Sequence, residues 1–84
     1  MKYYVYIIYS KSIDKYYIGY TADIETRIKK HNTGATRSTK PGKPWELLYF
    51  ETFDIKREAI QRELAIKRMK SRIYIEKLLI SSAS

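Results

Sequence analysis

The run from Lys2 to Tyr9, KYYVYIIY, contains no Gly or Pro and carries bulky Tyr, Val or Ile at both alternating sets of positions. Successive side chains of a strand point to opposite faces, so a run like this is stable only where both faces are covered. It is therefore expected as a central strand. Polar turn residues follow in Ser10–Lys15, and a second aromatic run spans Tyr16 to Thr21. So short a connection cannot cross over a sheet, which makes the pair an antiparallel hairpin. If the turn sets Tyr9 opposite Tyr16, then Ile8 faces Tyr17, and the period of two brings Tyr6 onto the same face as Tyr17. A slip of one residue would separate them, and each is also an ordinary strand residue in a chain with nine tyrosines.

Downstream of the hairpin, Thr21 or Asp23 is placed to cap a helix over Ile24–Asn32, with Gly34 suited to end it. Ile24 and Ile28 mark its buried stripe. Arg27 and His31 stand four apart along the border of that stripe, whereas Lys29 and Lys30 point toward solvent. Gly34–Pro44 holds both prolines, two of the three glycines and three basic residues, Arg37, Lys40 and Lys43, without an acid. It reads as a mobile, positively charged loop. Trp45–Phe53 is expected as a third strand and Asp54 as the cap of a helix reaching Met69. In that helix Ile55, Ala59, Ile66 and Met69 form one apolar strip, Ile60 and Leu64 a second, and Glu63 falls between them. Ser71 would cap a last helix, Arg72–Ile80, whose Ile73, Leu79 and Ile80 are expected to close the core. The reading is one α+β domain with an antiparallel sheet over residues 1–80, and a disordered tail at 81–84.

Seventeen Lys and Arg against nine Asp and Glu give a net charge of +8. A polyanion is the expected partner, nucleic acid above all. Lys30, Arg37, Lys40, Lys43, Lys67 and Lys70 are the candidate backbone contacts, within a set that includes seven basic residues between Lys56 and Arg72. The chain has no Cys and one His, which removes disulfides and makes a zinc site a poor prospect. Glu63 is either the partner of Lys67 in an i,i+4 pair or a ligand for a hard divalent cation, since Mg²⁺ commonly takes one or two carboxylates and keeps its waters. No apolar run approaches the roughly 18 residues of a membrane span, and no cleavage-site signal follows the first strand. A cytoplasmic location is expected, with no membrane association.

Taken in order, Tyr4-Val5-Tyr6, Tyr17-Ile18-Gly19, Arg27, His31 and a helical Glu63 resemble the GIY-YIG nuclease superfamily, most closely its small stand-alone bacterial single-domain proteins. The likeness covers essentially the whole chain. It implies a three-stranded antiparallel sheet with the first strand central, flanked by three helices, and phosphodiester hydrolysis assisted by one Mg²⁺ or Mn²⁺. Carried over, Tyr6 and Tyr17 are the motif tyrosines, Arg27 the arginine that faces phosphate, His31 the position held by His or Tyr, and Glu63 the metal ligand. Gly19 would permit close backbone approach. The first triplet departs from Gly-Ile-Tyr but keeps its tyrosine, Tyr20 stands where some members carry lysine, and no Asn follows Glu63. The function implied is a metal-dependent endonuclease acting on DNA, with RNA also open, of structure-selective or relaxed specificity and with Tyr6 or His31 as base. The rival is a nucleic-acid-binding module that keeps the fold without catalysis.

Overall fold

The computed structural model describes residues 1–83. Its elements are β1 (Tyr3–Ser10), β2 (Lys15–Thr21), α1 (Ile24–Thr33), a single 3-10 turn at Lys40–Gly42, β3 (Trp45–Phe53), α2 (Lys56–Met69) and α3 (Arg72–Ala83). The sheet has the order β2-β1-β3 with both pairings antiparallel. The strand with two apolar faces is thus the central one, and Val5, Tyr6, Ile7 and Ile8 are all fully buried. Tyr9 pairs with Tyr16, Ile8 with Tyr17 and Tyr6 with Gly19, so Tyr6 and Tyr17 share a face.

Each face of the sheet builds its own core. Val5 and Ile7 pack with Ala59, Ile66 and Ile75 from α2 and α3. Tyr6, Ile8 and Trp45 form the other cluster, with Tyr17, Ile28 and Leu47 around them. A bulge lets β3 serve this second core: Ile7 pairs with Tyr49 but Ile8 with Leu47, leaving Leu48 unopposed. The extra residue shifts the alternation of β3, so that Trp45 and Leu47 lie on the same face as Phe50.

Local chemistry sets the helix ends. Asp23, not Thr21, caps α1, accepting from the Thr26 amide at 3.2 Å and the Thr26 hydroxyl at 2.8 Å. Gly34 stops that helix at φ 82°, a left-handed conformation that suits a residue without Cβ. Ser71 Oγ accepts from the Tyr74 amide at 3.1 Å and so caps α3.

Several expectations are corrected. Asp54 does not cap α2; Ile55 holds that position without a side-chain bond, and Asp54 pairs with Lys2. Only Ala59 and Ile66 of α2 are buried, while Ile55, Leu64 and Met69 stay exposed. In α3 Ile75 enters the core with Leu78 and Leu79 against it, and Ile73 and Ile80 remain in solvent. Arg72 helps fix that rotation, since its guanidinium pairs with Asp14 at 2.6 Å and lies over the Tyr16 ring. Helix α3 also continues through Ser81 to Ala83, beyond the expected end at Ile80, and Ser84 lies outside the described residues.

The Gly34–Pro44 segment, though irregular, is anchored to the rest of the fold at Thr39 and Gly42. Thr39 and Gly42 are buried within it. The Trp45 indole N–H donates to the Thr39 carbonyl at 2.7 Å, and the Asn32 side chain holds the Trp45 backbone from both its N–H and its carbonyl. Among the described residues no helix is long and apolar enough to cross a membrane.

Candidate active site

Tyr6 projects from the middle of β1 across Gly19 of β2. A Cβ built on Gly19 would lie 2.5 Å from the Tyr6 hydroxyl and 2.7 Å from Cζ. Only glycine leaves room for the phenol there. From α1, His31 arrives on the same face, and its Nε2 lies 2.9 Å from the Tyr6 hydroxyl. The Tyr17 ring packs edge-on to His31 with centroids 5.0 Å apart and lies 6.5 Å from the Tyr6 ring. The i,i+4 relation of Arg27 and His31 divides their tasks: His31 is fully buried behind Tyr6, while half-buried Arg27 reaches the rim.

That rim belongs to a cleft of about 380 Å³ lined by Tyr3, Tyr6, Tyr17, Gly19, Tyr20, Thr21, Ala22, Arg27, Lys56 and Glu63. Tyr6 and Tyr17 come from one face of the hairpin, Tyr3 and Tyr20 from the other. The cleft therefore opens at the free edge of β2, where α2, seated on the far face through Ala59 and Ile66, brings Glu63 around to meet the tyrosines. The Glu63 side chain is only 12 % exposed, and Lys67 Nζ lies 3.5 Å from its carboxylate. Lys67 also stands 6.0 Å from the centre of the Tyr17 ring. Of the two readings of Glu63, the i,i+4 pair is thus present, and the carboxylate also faces the cleft.

Burial dominates the electrostatics. It pushes the Tyr6 phenol well above its ordinary value; the neighbouring Tyr17 adds to the rise, and the Arg27 guanidinium offsets only part of it. Burial, reinforced by the charge of Arg27, holds the His31 imidazole below its ordinary 6.5. At neutral pH both groups are uncharged, joined by a hydrogen bond with no ion between them. The chemistry of the donor set limits which metal fits. Among the described residues no three His, Cys, Asp or Glu side chains cluster as a metal cage. A lone carboxylate beside an open cleft suits Mg²⁺ or Mn²⁺, which retain waters and take one or two carboxylates, and it does not suit structural zinc.

The remaining candidate cations are dispersed. Lys67 meets the cleft through Glu63 and Tyr17 but itself lines the next hollow along α2. Lys70 lies in that same hollow, with Lys15 and Arg72. Lys30, Arg37, Lys40 and Lys43 are exposed on the end of α1 and the segment after it. The Lys43 carbonyl there accepts from Ser12 at 3.5 Å, which places this group beside the hairpin turn. Lys56, which the sequence reading did not single out, lines the cleft itself. Thr39 was missed as well: its hydroxyl lies 2.7 Å from His31 Nδ1. A buried threonine in an irregular segment leaves no periodic signal. A larger hollow of about 610 Å³, between α1 and β3, carries Asp23, Glu25 and apolar side chains with only Lys29 as a cation, a poor surface for a polyanion.

Comparison with known proteins bears on the fold. Residues 2–77 match the family described as the GIY-YIG catalytic domain. A UPF0213 protein of Staphylococcus saprophyticus is 48% identical over 67 residues, covering 79% of this chain and 80% of that one. A UPF0213 protein of Clostridium perfringens is 43% identical over 82 residues, covering 96% and 85%. The solution structure of a UPF0213 protein from Bacillus halodurans aligns at a TM-score of 0.59 and 38% identity, over 94% of this chain and 83% of that one.

Proposed function

The chain belongs to the GIY-YIG catalytic domain family, a nuclease-type fold, and from that premise we propose that it is a divalent-metal-dependent endonuclease hydrolysing phosphodiester bonds in DNA. The observation that carries this reading is convergence: Tyr6 from β1, Tyr17 from β2, Arg27 from α1 and Glu63 from α2 line one cleft, and His31 supports Tyr6 from behind. Packing alone does not require a carboxylate, a guanidinium and two phenols to meet at a sheet edge. The net charge of +8 suits a polyanionic substrate. A domain this small reads structure or backbone more readily than base sequence, so selectivity for DNA structure, or relaxed cutting, follows.

Arg27 offers a planar fork of donors to the non-bridging oxygens of the scissile phosphate, where charge develops. A Mg²⁺ or Mn²⁺ held by Glu63 would supply Lewis acidity toward the phosphoryl and departing oxygens. Tyr6 faces the attacking water and His31 receives the proton behind it, because a phenol that burial keeps protonated takes up a proton only as it passes its own on. Tyr17 orients water and phosphate. Lys56 and Lys67 flank the passing backbone.

One observation favours the alternative of binding without catalysis: the Lys67 ammonium already neutralises Glu63. Purified protein is therefore to be incubated with branched, single-stranded and duplex DNA, in Mg²⁺, Mn²⁺ or EDTA. The nuclease reading expects cutting that EDTA stops, lost in Glu63→Ala while DNA binding persists. Cutting retained by Glu63→Ala sinks the assignment of that residue, and binding with no cutting on any substrate selects the alternative.

A further inference from the structure

His31 is held from both sides. Its Nε2 lies 2.9 Å from the Tyr6 hydroxyl and its Nδ1 2.7 Å from Thr39 Oγ1. Thr39 is itself 1% exposed, and its hydroxyl also lies 3.3 Å from the Thr36 carbonyl. The Thr39 backbone is fixed by its own amide, which donates to the Thr36 carbonyl at 3.2 Å, and by the Trp45 indole donating to its carbonyl.

These contacts have one consistent direction. A carbonyl can only accept, so all of these contacts are hydrogen bonds only when the single hydroxyl proton of Thr39 goes to the Thr36 carbonyl, which also takes the Thr39 and Lys40 amides. Thr39 Oγ1 is left as an acceptor toward His31, and the proton of the neutral ring sits on Nδ1. Nε2 then presents a lone pair, to which the Tyr6 hydroxyl donates. We propose that Thr39 is a positioning residue that fixes His31 in the Nδ1–H tautomer and so turns the free lone pairs of the Tyr6 oxygen toward the cleft. In the other tautomer Nε2–H would donate to Tyr6, whose own proton would then point into the cleft, and Nε2 would have no lone pair to take that proton.

The role rests on the hydrolytic reading of the cleft. In that reaction water passes a proton to the Tyr6 oxygen as Tyr6 passes its own to His31 Nε2. The oxygen of the water forms its bond to phosphorus, and the ester bond to the departing oxygen breaks. The departing oxygen takes a proton from solvent, and the imidazolium returns its extra proton by the same route. Throughout, Nδ1–H keeps Thr39 as its acceptor. The charged and titratable groups facing His31 are Tyr6, Tyr17 and, from its own helix, Arg27; none of them bonds to Nδ1.

Because His31 is the only histidine, ¹⁵N-histidine labelling reports one ring without assignment. Long-range ¹H–¹⁵N correlation of the full chain at neutral pH should show a protonated Nδ1 and an unprotonated Nε2. Thr39→Ser should keep that pattern, and Thr39→Val, which lacks the acceptor, should shift the ring toward Nε2–H. In cleavage assays Thr39→Val should lower kcat about a hundredfold, the scale of an impaired acid–base relay, with KM unchanged and activity recovered in Thr39→Ser. An Nε2–H ring in the parent protein, or Nδ1–H with normal kcat in Thr39→Val, overturns the proposal. If Thr39→Val fails to fold, the parent spectrum and Thr39→Ser still decide it. The expected tautomer in a protein that cuts no DNA under any metal would overturn the nuclease reading alone.

Discussion

Replacing Gly19 with alanine tests the packing that places Tyr6. Backbone strain is not the issue at this position, since Gly19 is not among the residues with positive φ; the cost is steric. The new methyl would lie 2.5 Å from the Tyr6 hydroxyl and 2.7 Å from Cζ, whereas non-bonded carbons rest at about 3.5–4.0 Å. The phenol must retreat by ~1 Å, and it has nowhere to go: Tyr6 is fully buried, with His31 bonded to its hydroxyl and the Tyr17 ring alongside. Overpacking of this kind costs about 1–3 kcal/mol, and the displaced hydrogen bond about 0.5–1.5 kcal/mol. Lower entropy of the unfolded chain returns about 0.4–1 kcal/mol. The central net loss of roughly 2 kcal/mol lowers Tm by about 8–16 °C in a domain this size. A misplacement near 1 Å should also slow cleavage about a hundredfold. Thermal unfolding of Gly19→Ala, Tyr6→Phe and the double variant measures the first effect. The hydroxyl is the nearest atom, so alanine should cost at least ~0.5 kcal/mol less in the Tyr6→Phe background, the size expected of contacting residues. Additive losses, or an unchanged Tm in Gly19→Ala, would refute the argument.

Arg27→Ala should lower the cleavage rate at least about a hundredfold, the scale of one charge contact made in the transition state, with little change in Tm because Arg27 sits on the rim; an undiminished rate in steady-state cleavage contradicts its role at phosphate. His31 makes stability depend on pH. Its folded pKa is depressed by burial and Arg27, so the unfolded chain takes up the proton first, and the contribution is complete above pH 6.5 and lost as pH falls below that value toward the folded pKa. Urea midpoints should be flat above about pH 6.5 and decline below it before most carboxylates titrate, and the NMR titration of the single histidine should have its midpoint below its ordinary value; a midpoint at or above that value refutes the assignment.

What the sequence disclosed follows from how its signals arise. The hairpin register was legible because bulk on both alternating sets of Lys2–Tyr9 forced a central strand, and a short polar turn left little freedom in pairing. The caps at Gly34 and Ser71 were legible from local residue types, and that of α1 was narrowed to Thr21 or Asp23, whereas Asp54 was drawn off its expected cap by Lys2. Rotation of α2 and α3 was not: their sequences offer more apolar residues than the sheet covers, and contacts such as Arg72 with Asp14, far apart in the chain, help choose which face turns inward. The Leu48 bulge was equally silent, yet it puts Trp45 on the face of Tyr6, where its indole fixes the Thr39 carbonyl. Thr39 itself follows from that placement. The candidate site could therefore be read as far as its wall of Tyr6, Tyr17, Arg27 and His31, and the support behind the wall could not.

That support makes the core and the candidate site partly the same object. Tyr6, His31 and Thr39 are fully or almost fully buried and joined in one hydrogen-bonded row, so any change among them removes packing together with chemistry. Leaving a buried partner without its bond costs about 1–3 kcal/mol, a large share of the roughly 5–15 kcal/mol that holds a small domain folded. Loss of activity in such variants does not by itself assign a catalytic role. Glu63 and Arg27 differ because they enter from helices at the rim, and the 3.5 Å pair of Glu63 with 45 % exposed Lys67 contributes at most about 0.5 kcal/mol. Removing either side chain should leave the fold standing while changing the charge at the cleft, so these two positions separate chemistry from stability in a way that the buried row cannot.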